Sequence, residues 1–125
     1  MSRQHISRNP ALPFSDAVLI DSHTLYISGR IGLIPGTTQV PATIDEEIVL
    51  LMEDLRSVLH DAGMTLDDLV SLQIFCPDVS LWEQFNAIYR TFFSGPLPAR
   101  AFLGSGPLLF GAHFEVMGIA VRSTP

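Results

Sequence analysis

The chain has 125 residues, 47% hydrophobic and 16% charged, which suits one domain with a sizeable core and lies far from the composition of a disordered chain. Its formal net charge is −6 and all seven basic residues are arginine; this excludes a Schiff-base or P-loop lysine and argues against a nucleic-acid partner, which needs a cationic face to displace counterions. The one cysteine, Cys76, excludes an internal disulfide and a multi-cysteine zinc site, and the four histidines show no metal-ligand spacing.

One domain over 1–125 is expected, with residues 1–13 as an N-terminal arm or loop because they hold two prolines and no periodicity. Arg3 and Arg8 are followed by no apolar stretch, so a signal peptide is not expected, and apolar runs such as Ile48-Val49-Leu50-Leu51-Met52 are too short to span a membrane. A cytoplasmic protein is the expectation. Ala17–Ile20, a polar turn at Asp21-Ser22-His23 and residues 24–28 read as a hairpin, ended by Gly29 and Gly32. Thr43-Ile44-Asp45-Glu46 is a capping box that opens a helix. Its apolar residues Ile44, Ile48, Leu51, Leu55, Val58, Leu59 and Ala62 share one face, and Gly63 stops it. Leu69–Cys76 alternates as a strand and Pro77 ends it. Ser80-Leu81-Trp82-Glu83 reads as a second capping box, opening a helix with Trp82, Phe85, Tyr89 and Phe92 on one side. Two further strands are predicted near 99–103 and 114–121.

The order ββ-α-β-α-ββ describes an α+β domain, a mixed sheet with both helices on one face. Strands this apolar predict that the other face is hidden too. With a mean hydropathy of +0.34, another copy of the same chain is the economical cover.

Period-two alternation in the last strand places Glu115 on one face with Met117, Ile119 and Val121. The cation in a matching position is Arg100, at the start of the preceding strand. Two readings stand side by side: a buried or cross-strand ion pair, or an Arg100 clamp for a substrate carboxylate beside a water-handling Glu115. Ser28-Gly29-Arg30 either begins a turn or lets a ligand approach the backbone. Asn86, inside an apolar and aromatic helix, either caps a neighbouring loop or faces a site. Cys76 reads as a small buried hydrophobe, and the histidines as surface or loop residues. Gly104-Ser105-Gly106 is not a dinucleotide fingerprint, since Leu109 stands at the third glycine position.

Five segments in register carry a resemblance: Ala11-Leu12-Pro13-Phe14-Ser15-Asp16-Ala17, Leu25-Tyr26-Ile27-Ser28-Gly29-Arg30-Ile31, Phe85-Asn86-Ala87-Ile88-Tyr89, Pro98-Ala99-Arg100-Ala101, and Phe114-Glu115-Val116 with Ile119-Ala120-Val121. Over about residues 11–122 the chain resembles the RidA/YjgF family of imine deaminases, also labelled L-PSP endoribonucleases. The resemblance implies a chorismate-mutase-like fold, a homotrimer with active sites between subunits, and hydrolysis of a 2-imino acid or its 2-enamine tautomer to a 2-keto acid and ammonia. No metal or organic cofactor is implied. It assigns the carboxylate clamp to Arg100, the water to Glu115, and further lining to Ser28, Gly29 and Asn86. Departures from the family pattern are Phe14 for a tyrosine, Phe102 for a small or cysteine residue, Met117 for a second glutamate, and Pro107-Leu108-Leu109-Phe110 for a polar, positively charged segment. These imply a more apolar or differently sized pocket, with Phe14 and Phe102 near the substrate.

Competing readings are a non-catalytic trimer that binds a small carboxylate ligand, and a deaminase of an aminomuconate-type intermediate. Endoribonuclease action fits poorly with the acidic, lysine-free composition. Neither a nucleic acid nor a membrane is an expected partner.

Overall fold

The computed structural model describes residues 1–123. Six strands form one sheet in the order β1-β2-β3-β6-β4-β5. They are β1 (Arg3–Ile6), β2 (Ala17–Ile20), β3 (Thr24–Ile31), β4 (Leu69–Cys76), β5 (Ala99–Gly104) and β6 (Glu115–Val121). Only β4 and β5 run parallel; every other pairing is antiparallel. The last strand thus enters between β3 and β4, joining the N-terminal hairpin to the β4–β5 pair.

Part of the expected N-terminal arm is a strand. Arg3 pairs with Ile20 and Ile6 with Ala17, and within β1 only Ile6 is buried. One buried residue in four leaves no alternation for sequence reading to detect.

The first helix, α1 (Ile44–Asp61), begins where Thr43 accepts the Glu46 amide. The reciprocal half of the expected capping box differs: the Glu46 carboxylate takes the Thr43 hydroxyl, at 3.1 Å, not the Thr43 amide. Its C-terminus closes as a Schellman turn, with Gly63 at φ +72° donating to His60 and Met64 donating to Leu59. Ile48, Leu51, Leu55, Val58 and Leu59 are fully buried against the sheet, as their spacing predicts. Gly32 sits directly under α1, where a Cβ would overlap the Glu47 carbonyl oxygen.

The second helix, α2 (Trp82–Tyr89), follows a 3₁₀ turn over Val79–Leu81. Ser80 is not its cap. Asp78 accepts from both the Ser80 amide and the Ser80 hydroxyl, so the aspartate two residues upstream takes the capping role and occupies the serine. The helix therefore starts later and turns Trp82 outward, 47% exposed, while Phe85 and Tyr89 enter the core.

Both helices cover the face that carries Leu25, Ile27, Leu72, Ile74, Val116 and Ala120, and these residues form one core with α1 and Phe85. Among the described residues nothing covers the opposite face. It presents Tyr26, Ile119, Met117 and Glu115 to the outside, with Tyr26 51% and Met117 40% exposed. Among the described residues no helix is long and apolar enough to cross a membrane.

One polar cluster ties the N-terminal hairpin to α1. Arg30 donates to Asp16 and to Asp54, each at 2.6 Å, and the Arg8 amide donates to Asp16. Burial alone would raise the Asp16 carboxyl, but the bonds from Arg30 and Arg8 outweigh it and leave the pKa below the ordinary 3.8. A depressed carboxyl stabilises the fold fully above the unfolded value and progressively less as pH falls through the folded one. Asp16→Asn is therefore expected to lower the urea midpoint at about pH 7 and to shrink the further loss on moving to about pH 3. Urea titrations at the two pH values check this.

Candidate active site

Strand β3 does not end at Ser28. It continues to Ile31 through a bulge: Ile27 faces Gly118 and Arg30 faces Val116, so Ser28 and Gly29 together oppose Met117. The extra residue reverses the alternation. Ile27 and Arg30 both turn to the helix side, while Ile31 pairs with Glu115 on the open face. The reading of Ser28-Gly29 as the start of a turn is thus replaced by a bulge in mid-strand. Ser28 is held by its own bonds, its amide donating to the Asp16 carbonyl and its hydroxyl to the Ser15 carbonyl.

The bulge makes room for Glu115. A Cβ on Gly29 would lie 2.7 Å from Glu115 Oε2 and 2.9 Å from Cδ, so the carboxylate rests against the bare glycine backbone. Among the described residues Glu115 makes no side-chain hydrogen bond and no ion pair. Gly29→Ala should displace the carboxylate while the strand stays paired. We expect about a 10²-fold loss of turnover with the urea midpoint little changed, read from parallel activity and unfolding assays.

Around Glu115 lies a cavity of about 870 Å³. Phe14, Ser28, Gly29, Ile34, Leu109 and Phe110 share it with Glu115. Leu109 is 68% and Phe110 53% exposed, so two bulky side chains stand unburied at the mouth. Phe110 adopts φ +59°, an uncommon conformation for a bulky residue and one that marks local strain. The loop that carries it is anchored downstream. His113 donates its amide and Nδ1–H to the two oxygens of Glu47, both at 2.7 Å, and the Glu47 carboxylate is 1% exposed. His113 is therefore a loop residue, as expected, and serves as a structural tether.

Two arginines reach this cavity, and both are occupied. Arg30 is paired with Asp16 and Asp54, and Arg8 with Asp61 and the Ser57 hydroxyl.

Arg100 is elsewhere. It lies in β5 opposite Leu72 of β4, hence on the helix face, while Glu115 is on the open face with Phe75 of β4 beside it. Strand β4 separates β5 from β6. The ion pair allowed by the sequence does not exist within the chain, because the intervening strand and the opposite facing forbid it. Arg100 instead donates from Nη2 to Asn86 Oδ1 at 2.7 Å. Its guanidinium carbon lies 4.9 Å from the Tyr89 ring centre and 5.6 Å from that of Phe102. Among the described residues it has no carboxylate partner.

Asn86 thus holds Arg100 and does not cap a loop. Phe102 is beside Arg100, but its ring packs edge-on to Phe85 at 5.7 Å against the core and away from the Glu115 cavity. A second, smaller cavity of about 190 Å³ is lined by Arg100, Arg90, Asn86, Tyr89, Trp82, Leu97 and Pro98. Its walls share no residue with the Glu115 cavity. Tyr89 was legible only as core; its spacing of three from Asn86 on α2, the spacing of helix-surface neighbours, is the signal that places it by Arg100.

Cys76 is no nucleophile. Burial pushes its thiol up, and Sγ donates to the Asp78 carbonyl. Among the described residues no group of three His, Cys, Asp or Glu could hold a metal ion.

A mixed six-stranded sheet backed by two helices is an architecture found in known proteins. The chain belongs to the endoribonuclease L-PSP family, whose model matches residues 5–122, the group that includes RidA and YjgF proteins. A mouse protein named 2-iminobutanoate/2-iminopropanoate deaminase is 37% identical over 111 residues, covering 88% of this chain and 82% of its own length. The human protein of the same name is 32% identical over 111 residues, covering 88% and 80%. The fold matches RidA from a Psychrobacter species with TM-score 0.87 at 26% identity, covering 95% of this chain and 99% of that one. YyfA of the Rid protein family from Yersinia pestis matches with TM-score 0.88 at 29% identity, covering 97% and 100%.

Proposed function

We propose that the protein hydrolyses 2-imino acids, or their 2-enamine tautomers, to 2-keto acids and ammonia, in a site completed by two copies of the chain. The observation that carries this reading is a pair of unpartnered charges. Glu115 has no cation in its cavity that is not already paired, and Arg100 has no carboxylate. A substrate with a carboxylate at one end and an electrophilic carbon beside it would need both. The bare apolar face around Tyr26, Met117 and Ile119 provides the surface on which a second copy, in a trimer, would bring Arg100 over the Glu115 cavity. The names of the mouse and human relatives support the reaction class.

In this arrangement the guanidinium of Arg100 takes the substrate carboxylate, and Asn86 fixes its orientation. Glu115 accepts a proton from water as the water oxygen bonds to C2 of the imine. It passes that proton to the imine nitrogen to give a carbinolamine. It then moves the carbinolamine hydroxyl proton to the same nitrogen as the C2–N bond breaks, so that both water protons leave with ammonia and the keto oxygen comes from water. An imine carbon is already electrophilic, so positioning and proton handling suffice. Ser28 and Gly29 shape the floor, with Phe14, Leu109 and Phe110 beside the substrate side chain. These walls favour branched or aromatic side chains over that of 2-iminopropanoate.

The test generates 2-imino acids in solution with an amino-acid oxidase and traps them with semicarbazide. Added protein should suppress the trapped product, most strongly for bulky side chains. Absence of suppression with every imine, from correctly assembled protein, would leave binding of a small carboxylate ligand as the function. Endoribonuclease action is disfavoured by the −6 net charge.

A further inference from the structure

We infer that Tyr89 is a second ligand-binding group beside Arg100, its hydroxyl donating a hydrogen bond to the carboxylate that the guanidinium holds. The inference rests on the carboxylate role of Arg100 proposed above and extends it by one residue. Tyr89 ends α2 and is 4% exposed. Its ring is fixed between Phe85, at 5.5 Å and nearly parallel, and Phe93, at 4.9 Å. The phenol cannot swing out to find a partner.

Yet its hydroxyl is unsatisfied. Among the described residues Tyr89 Oη is the only buried side-chain nitrogen or oxygen with no hydrogen-bond partner. Buried polar groups in folded proteins are almost always paired, and an exception calls for a cause. Arg100 is a charged neighbour of Tyr89, with the guanidinium carbon 4.9 Å from the ring centre. Arginine carries donors and no acceptor, so it can never take the phenolic proton. Burial also pushes the phenol above 10.0, against the charge of Arg100 and the approach of its N–H groups to the phenolic oxygen, which keeps the hydroxyl protonated and able to donate.

Four polar residues therefore line one small cavity: Tyr89, Arg100, Asn86 and Arg90. Asn86 Oδ1 is engaged by one Arg100 nitrogen. What the remaining guanidinium donors and the phenolic proton jointly lack is an acceptor, and a carboxylate supplies two acceptor oxygens in one plane. Apolar Leu97, Pro98 and Trp82 form the rest of the wall together with a second arginine, Arg90, and the apolar part strengthens hydrogen bonds made inside it.

Tyr89→Phe removes the hydroxyl and keeps the ring, which separates a ligand role from a structural one. With a stable product analogue, 2-oxobutanoate, as the probe, calorimetric titration is expected to show roughly tenfold weaker binding in the variant. In the imine assay the same factor should appear in KM, with kcat nearly unchanged. The melting temperature should be equal or higher, because an unpaired buried group has been removed. A lower melting temperature with unchanged affinity would overturn the inference and make the hydroxyl structural. Binding that Arg100→Ala abolishes but Tyr89→Phe leaves intact would also overturn it, while sparing the clamp. No binding of 2-oxobutanoate by the unmodified protein would overturn the clamp and Tyr89 together.

Discussion

Arg100→Ala is expected to lower kcat/KM for 2-imino acids by about ten- to a hundredfold, chiefly by raising KM. The size follows from the contribution of a charge-assisted hydrogen bond, about 1.5–3 kcal/mol. The fold should survive, since Arg100 is half-buried on an edge strand and its one side-chain hydrogen bond is to Asn86. Arg100→Lys should recover little, because an ammonium presents no planar fork to a carboxylate. Steady-state kinetics on oxidase-generated imines, beside circular dichroism of each variant, checks the prediction. An Arg100→Ala enzyme with normal KM would show that the substrate carboxylate is held elsewhere.

Glu115→Gln should behave in the opposite way, with kcat reduced by about 10²–10⁴ and KM near that of the parent. Glutamine keeps the shape and cannot take a proton from water. Its effect on stability should be small, because Glu115 anchors no other side chain. The two variants also test where the site is. Each lacks a group that the other retains, and the groups lie on opposite faces of one sheet. If one copy supplies Arg100 and another Glu115, mixing the two inactive variants through unfolding and refolding should restore part of the activity. A site within one chain would give none, and light scattering on the same samples reports the assembly.

The candidate cavity has walls placed by a long-range contact that composition does not reveal. Leu109 and Phe110 are held at its mouth by a tether whose parts are 66 residues apart, Glu47 in α1 and His113 before β6. Nothing near His113 in the chain announces this. A histidine in a loop reads as solvated until a helix from another part of the fold brings a buried carboxylate to it.

Where neighbours in sequence decide the outcome, the chain is readable. The Thr43 cap, the Gly63 stop and the buried stripe of α1 depend on contacts a few residues apart, and they stand as the spacing predicts. Strand alternation likewise places Glu115 with Met117 and Ile119, away from the core. Where two local signals compete, reading is less secure: Asp78 displaced Ser80 as cap because its carboxylate binds both the amide and the hydroxyl of that serine. The family-like segments identified Arg100, Glu115, Ser28, Gly29 and Asn86 as a set without showing how they are arranged.

By itself, then, the sequence determined the main elements from β2 onward and the face of Glu115, because these rest on periodicity and caps, while the candidate site residues were named through the family resemblance. Only the tertiary structure decided that β6 lies between β3 and β4, that Ser28 and Gly29 form a bulge under the carboxylate, and that Arg100 faces the other way. Strand order and register depend on pairings between residues as much as 97 positions apart, such as Thr24 with Val121, and such pairings are chosen by the burial of the whole core, which no local window contains.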